Sequence, residues 1–167
     1  MSLIPDTAVI QERLAAFPLT TYQAGENVFV AGSKTDRLLF LRKGAVAIIK
    51  EGIEIARVTE PGAVFGELSA LLDQPHTANV RALESSQFHV ANADALIAQD
   101  PITMLYVATV LARRLDGANQ VLIELKRQLQ GGQPGSGVSK TIEKMEDLLG
   151  ASGASLVHPT PTQHKKA

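Results

Sequence analysis

A mainly β fold with flanking helices is the fold class this sequence predicts, and three observations carry it. Between Thr20 and Ala91, short apolar or alternating runs recur with glycine turns between them. Helical spacing is found only on either side of that stretch, first over Asp6 to Phe17 and again from Asn92. Past Asp100, one apolar stripe spaced by alternating threes and fours continues unbroken to Leu129. Many short strands with close turns point to a sandwich or a jelly-roll barrel.

The elements follow in order. Asp6 can cap a short amphipathic helix whose face carries Val9, Ile10, Leu14 and Phe17, and Pro18 stops it. Strand signals then run through Phe29-Val30, Leu38 to Leu41, Val46 to Ile49 and Ile53 to Val58. Gly25, Gly32, Gly44, Gly52 and Gly62 punctuate them, and Lys43-Gly44 and Glu51-Gly52 read as hairpin turns. Two further strands are expected over Asn79 to Leu83 and Gln87 to Val90. Asn92 caps a short helix through Gln99, and Asp100-Pro101 is a cap and first-turn pair for the next.

That last helix is expected to run to about Gln130. Ala108, Leu111, Leu115, Ala118, Leu122, Leu125 and Leu129 form an a/d seam over three heptads, the spacing of a coiled coil. At 1.5 Å per residue the helix would extend roughly 40 Å, past the end of a small barrel. A packed alternative, with the stripe resting only on its own barrel, stays open. Gly117 in its middle costs about 1 kcal/mol against alanine unless close packing needs a small residue. Residues 131–138, rich in glycine, read as a flexible linker, 139–150 as one short helix, and 151–167 as a disordered tail.

Composition narrows the function. Of 167 residues, 45% are hydrophobic and 20% charged, enough for one domain with a real core. A formal net charge of −1 gives no field toward nucleic acid or an anionic membrane. The basic pairs Arg42-Lys43, Arg113-Arg114 and Lys126-Arg127 are scattered and read as solvated faces. With no cysteine, disulfides, thiolate nucleophiles and cysteine metal sites are excluded. No secretory signal or membrane-length apolar run is found, so a cytoplasmic protein is expected. His89, His158 and His164 show no ligand spacing, so neither a bound metal nor an enzyme of the metal-dependent jelly-roll kind is expected.

The most informative stretch runs from Glu60 to Ala82. Within it, Pro61-Gly62 is followed by Phe65-Gly-Glu-Leu-Ser69 and then by Pro75-His-Thr-Ala78. A glycine lets backbone come close, free N–H groups can face an oxyanion, and a lone carboxylate can grip a hydroxyl. The segment resembles the phosphate-binding cassette of the cyclic nucleotide-binding domain family, in which Phe-Gly-Glu-Leu precedes Pro-Arg-Ala-Ala-Thr or a close variant. Here the arginine position holds His76. The likeness covers roughly Phe17 to Gln130, with Leu39 to Val46 and Leu111-Ala-Arg-Arg-Leu115 in the expected order. It lies nearest the sensor half of catabolite-activator-type (CRP/FNR-like) bacterial regulators.

The resemblance implies an eight-stranded jelly-roll β-barrel that dimerises along its last helix, from Ile102 to Gln130. It implies ligand contacts from Gly66, Glu67, Leu68, Ser69, His76, Thr77 and Ala78. Glu67 would accept the ribose 2′-hydroxyl, and the N–H groups of Leu68 and Ser69 would face the cyclic phosphate. His76 would stand at the phosphate, and Thr77 beside it could reach the phosphate or a purine edge. Ala118 and Asn119 fall where two adenine-reading hydroxyl residues are expected. Only Asn119 keeps a polar group for a base, reached from the partner subunit.

Two readings of Glu67 and His76 stand side by side: ligand contacts, or a structural hydrogen bond and a loop histidine. Losing the arginine costs a charge-assisted bond, about 1.5–3 kcal/mol, and leaves binding favoured by acid, strengthening from pH 8 to pH 6. The expected function is a sensor for cAMP or cGMP that signals to a protein partner, without its own DNA-binding domain. The alternative is a dimerisation module that is ligand-free or differently liganded. The 139–150 helix is the candidate for the partner contact, or for a lid.

Overall fold

The computed structural model describes residues 6–131, together with Gly137, Lys140, Thr141, Lys144 and Met145. Eight strands are found among the described residues, in two antiparallel four-stranded sheets. The first sheet has the order β1 (Leu19–Tyr22), β8 (Ser86–Asn92), β3 (Arg37–Lys43) and β6 (Val64–Phe65). In the second, β2 (Asn27–Phe29) is followed by β7 (Asn79–Ala82), β4 (Val46–Lys50) and β5 (Ile53–Val58). No ladder joins the two sheets, so the strand count matches the expectation while the closed barrel is replaced by a two-sheet arrangement.

The continuous apolar run of β3 explains how the layers are held. Leu39 and Leu41 point between the sheets, where they meet Val28, Phe29, Val46, Val58, Phe65, Val80 and Phe88. Leu38 and Phe40 point the other way, onto Ile10, Leu14, Leu96, Tyr106, Val107 and Val110 of the helices. All four β3 side chains are at most 1% exposed, which is why this strand shows no polar alternation.

The hairpin β4–β5 turns at Glu51-Gly52, both with positive φ (53° and 80°), as a two-residue hairpin turn requires. Gly44 turns β3 into β4 at φ 108°, with Ser86 packed so closely that an added Cβ would lie 2.3 Å from its Oγ.

Helix α1 (Thr7–Ala15) starts at Asp6, whose side chain accepts from the Ala8 N–H at 2.8 Å. Ile10 and Leu14 are buried, but Val9, expected on the same face, is 41% exposed. Helix α2 (Glu67–Leu72) follows β6, and α3 (Ala93–Gln99) begins at Asn92, which accepts from the Ala95 N–H at 3.0 Å. Helix α4 runs over Pro101–Gln130, as expected.

Asp100 fixes the start of α4 on three sides. It accepts from the Thr103 N–H (3.1 Å), the Thr103 hydroxyl (2.6 Å) and Arg13 of α1 (2.9 Å). Burial pushes its carboxyl pKa up, but these bonds and the Arg13 charge outweigh burial and hold it below the ordinary value. Tyr106, one turn on, donates its hydroxyl to the Gly62 carbonyl at 2.8 Å, and burial pushes its pKa up to about 12. The helix is thereby pinned to the Pro61-Gly62 turn that opens the cassette.

Burial divides α4 into two stripes. Thr103, Tyr106, Val107, Val110, Gly117 and Val121 are buried. Leu115, Leu122 and Leu129 of the expected seam are 64%, 50% and 71% exposed. Gly117, expected to weaken the helix, lies on the buried stripe.

Of the expected linker and the 139–150 helix, Gly131, Gly137, Lys140, Thr141, Lys144 and Met145 are described, and the last five are helical. Gln128 of α4 donates to Thr141 Oγ1 at 2.9 Å, and Thr141 is 3% exposed. The expected tail, 151–167, lies outside the described residues. Among them no single helix is long and apolar enough to cross a membrane.

Candidate functional site

A cavity of about 260 Å³ lies between the second sheet and the cassette. Phe29, Ile48, Ile55 and Val80 form its sheet side, with Lys50 at the exposed end of β4. Val64 through Ser69 and His76 through Ala78 line it from the cassette, and Arg114 from α4. Of the sequence-expected site residues, Gly66, Glu67, Leu68, Ser69, His76, Thr77 and Ala78 are brought together here. Asn119 is not among the lining residues, and it lies exposed on α4 of this single chain.

The cassette is shaped by Gly66. Its φ of 88° turns β6 into α2, and an added Cβ would sit 2.4 Å from the Arg37 carbonyl oxygen and 2.9 Å from Phe29 Cζ. The turn leaves the first amides of α2 ahead of the first helical bond, which Ala70 N–H donates to the Gly66 carbonyl at 3.0 Å. Ser69 spends its hydroxyl on the Gln74 carbonyl (2.6 Å), closing the short helix onto the loop that follows. Its hydroxyl proton is therefore committed to that loop.

Glu67 is 8% exposed, and a carboxylate so buried needs a partner. It has one in Arg114, whose Nη1 donates to Glu67 Oε1 at 2.8 Å while Nη2 donates to the Val64 carbonyl at 3.2 Å. Arg114 was expected on a solvated face; its side chain is only 18% exposed. The signal that could have found it is its register. It falls between Val110 and Gly117 on the buried stripe, a lone cation among apolar positions. The heptad spacing marks a different face of the helix. Ile48, Ile55 and Val80 were also missed as lining residues, because strand periodicity does not say which face meets a ligand.

His76 is 7% exposed and lies against the Phe29 ring, with centroids 4.2 Å apart. Its Nε2 is 2.9 Å from Thr35 Oγ1, and its backbone exchanges bonds with the 32–33 turn: its N–H donates to the Ser33 carbonyl, and its carbonyl accepts from the Gly32 N–H. Burial lowers its pKa from the ordinary value. Burial thus favours the neutral ring, so acid-favoured binding through this group is displaced to lower pH than an ordinary histidine would give.

The sign of the linkage gives a stability prediction. In the unfolded chain this histidine titrates near its ordinary value, about 6.5, and in the fold it titrates lower. The unfolded state therefore takes the proton first, so its contribution is fully present above about pH 6.5 and is lost as pH falls toward the folded value. Thermal melts of the wild type should show a decline below that pH that is shallower in His76→Gln. Equal slopes for the two proteins would contradict this.

Arg81, near the site in sequence, instead donates from β7 to Asn27 Oδ1 at 3.2 Å. Among the described residues, no group of three His, Asp or Glu side chains could hold a metal ion. The site is thus a small, mostly apolar cavity carrying one buried ion pair, a buried histidine and backbone donors. It can grip hydroxyl and anionic groups, and it holds a buried histidine whose ring is already engaged.

Comparison with known proteins agrees with this geometry. The family model described as the cyclic nucleotide-binding domain matches residues 19–99. The chain is 42% identical over 65 residues to glutaminase 1 of Bradyrhizobium diazoefficiens, covering 38% of this chain and 10% of that protein. It is 30% identical over 112 residues to a cyclic nucleotide-gated potassium channel of Mesorhizobium japonicum, covering 64% of this chain and 30% of the channel. The chain thus spans under a third of these curated relatives.

Among solved structures, the catabolite activator protein of Thermus thermophilus superposes with a TM-score of 0.61 at 22% identity. That match covers 86% of this chain and 82% of the other, and it bears on the fold alone. Residues 19–99 of this chain belong to the cyclic nucleotide-binding domain family.

Proposed function

We propose that the cavity takes a cyclic nucleotide, cAMP or cGMP, and that the domain is a regulatory sensor rather than an enzyme. One observation carries this reading: the residues of the family's cassette, Gly66 to Ser69 and His76 to Ala78, line a single cavity with Arg114. Its volume, about 260 Å³, suits a small ligand near the lower end of ordinary binding pockets. In this reading the two sheets are the halves of an eight-stranded jelly roll, and Glu67 holds the ribose 2′-hydroxyl. The first amides of α2 and the Thr77 hydroxyl take the phosphate side.

The exposed seam positions Leu115, Leu122 and Leu129 support a homodimer through Ile102 to Gln130, since Tyr106, Val107 and Val110 of the other stripe already pack into the domain's own core. Such pairing is the route by which Asn119 of one subunit would approach a base in its partner. The ligand-bound state would then pass along α4 to a protein partner, with the segment 139–150 as the candidate contact.

A second reading, a dimerisation module with a different ligand or none, draws on one observation. His76 is already engaged, by Thr35 and by the Phe29 ring.

Calorimetric titration separates the two. Saturable heat with cAMP or cGMP at concentrations up to millimolar, between pH 6 and pH 8, is the expected result. Absence of heat with both across that range would leave the second reading standing and remove the first.

A further inference from the structure

We propose that Arg114, reaching into the cavity from α4, supplies the permanent positive charge that holds the ligand's phosphate. The inference rests on the cyclic-nucleotide reading and deepens it. Three lining side chains could carry positive charge: Lys50, His76 and Arg114. His76 has Thr35 and a phenyl ring as neighbours, no ion-pairing carboxylate among the described residues, and a burial that favours its neutral form. Lys50 lies at the exposed end of β4, where water solvates its ammonium group.

Arg114 differs from both. It is charged at every physiological pH, and its side chain is 18% exposed. Its five N–H donors are only partly used. Nη1 serves Glu67 and Nη2 serves the Val64 carbonyl, while the buried Nε has no hydrogen-bond partner among the described residues. A buried donor without a partner is costly, and it becomes favourable when an acceptor arrives.

The charge balance agrees. Two lining cations against the single Glu67 carboxylate leave one net positive charge in the cavity wall. A cyclic phosphodiester carries one negative charge, and its oxygens suit a guanidinium fork. Position 76 need not provide the charge if α4 does. The same guanidinium holds the Glu67 carboxylate in place beside the cavity, so one arginine serves both ends of the ligand.

The test is a titration series on the full chain with cAMP and cGMP, and with adenosine and guanosine, which lack the phosphate. Arg114→Gln should weaken cyclic-nucleotide binding by about ten- to hundredfold, with a smaller loss for the nucleosides. Arg114→Lys, which keeps charge but not the fork, should fall between Arg114→Gln and the wild type. Lys50→Gln should weaken cyclic-nucleotide binding less than Arg114→Gln does.

Removing Arg114 alone leaves Glu67 buried without its partner, so the double variant Glu67→Gln/Arg114→Gln serves if the single one does not fold. The readout is then the ratio of nucleotide to nucleoside affinity, which should still drop at least tenfold. A merely structural role would weaken both ligands equally and leave that ratio unchanged, overturning the inference. Cyclic-nucleotide affinity that survives Arg114→Gln, or that depends more on Lys50, would also overturn it while sparing the sensor reading. A wild-type protein that binds no cyclic nucleotide removes both.

Discussion

Replacing Leu115 and Leu122 together with glutamate is expected to convert the protein from dimer to monomer while leaving its fold intact. The two side chains are 64% and 50% exposed in the single chain, so neither substitution opens a hole in the core. In a paired α4, both would lie in the a/d seam with Ala118 between them. Burying a leucine contributes about 2 kcal/mol. Two sites in each of two chains give roughly 8 kcal/mol, before the repulsion of facing carboxylates.

That is roughly five-hundred-thousandfold in a dissociation constant. Sedimentation velocity should show a dimeric wild type and a monomeric variant with the same melting midpoint. A wild type already monomeric at the same concentration, or a variant still dimeric, would end the seam's role.

The second large effect is expected from Gly66→Ala. A left-handed φ of 88° costs an alanine about 1–2 kcal/mol. The added Cβ also collides with the Arg37 carbonyl, a backbone atom of the central strand β3, and with the edge of the Phe29 ring. Overpacking of this kind costs a further 1–3 kcal/mol, roughly. The total, about 3 kcal/mol, should appear as a lowered denaturation midpoint.

The damage reaches the cavity because Phe29 also supports the His76 ring, and because Glu67 is the next residue along. Ligand binding should therefore weaken along with stability. An unchanged midpoint would show that the turn tolerates a side chain and that the cassette is softer than its geometry indicates.

Much of this architecture was legible in the sequence because it rests on local chemistry. Asp100-Pro101 marks the start of α4, since a carboxylate can accept the first-turn N–H groups and proline lacks one to satisfy. Asn92 does the same for α3, and Glu51-Gly52 marks the β4–β5 turn through a positive φ. The cassette was visible because its glycine, carboxylate and second proline stand close together in the chain.

What escaped depends on residues distant in sequence. Strand β6 is two residues long and carries no period to recognise. Val9 shares a helical face with Ile10 in the pattern, yet it lies at that face's edge and stays in solvent. Arg114 and Glu67 are 47 positions apart, and only the packing of α4 against the Pro61-Gly62 turn brings them together. His76 could be identified as a departure from the arginine pattern, but its Phe29 and Thr35 neighbours come from far earlier in the chain. Even the two-sheet arrangement turns on which strands fail to pair, a property no single segment encodes.

The most direct measurement is amide hydrogen exchange, residue by residue, with and without saturating cAMP or cGMP. Ligand in the cavity should slow exchange at the amides of Glu67, Leu68 and Ser69 and at those of Thr77 and Ala78, with no comparable change in α1. Exchange left unaltered at those positions, or slowed only elsewhere, would contradict a nucleotide seated between the second sheet and the cassette.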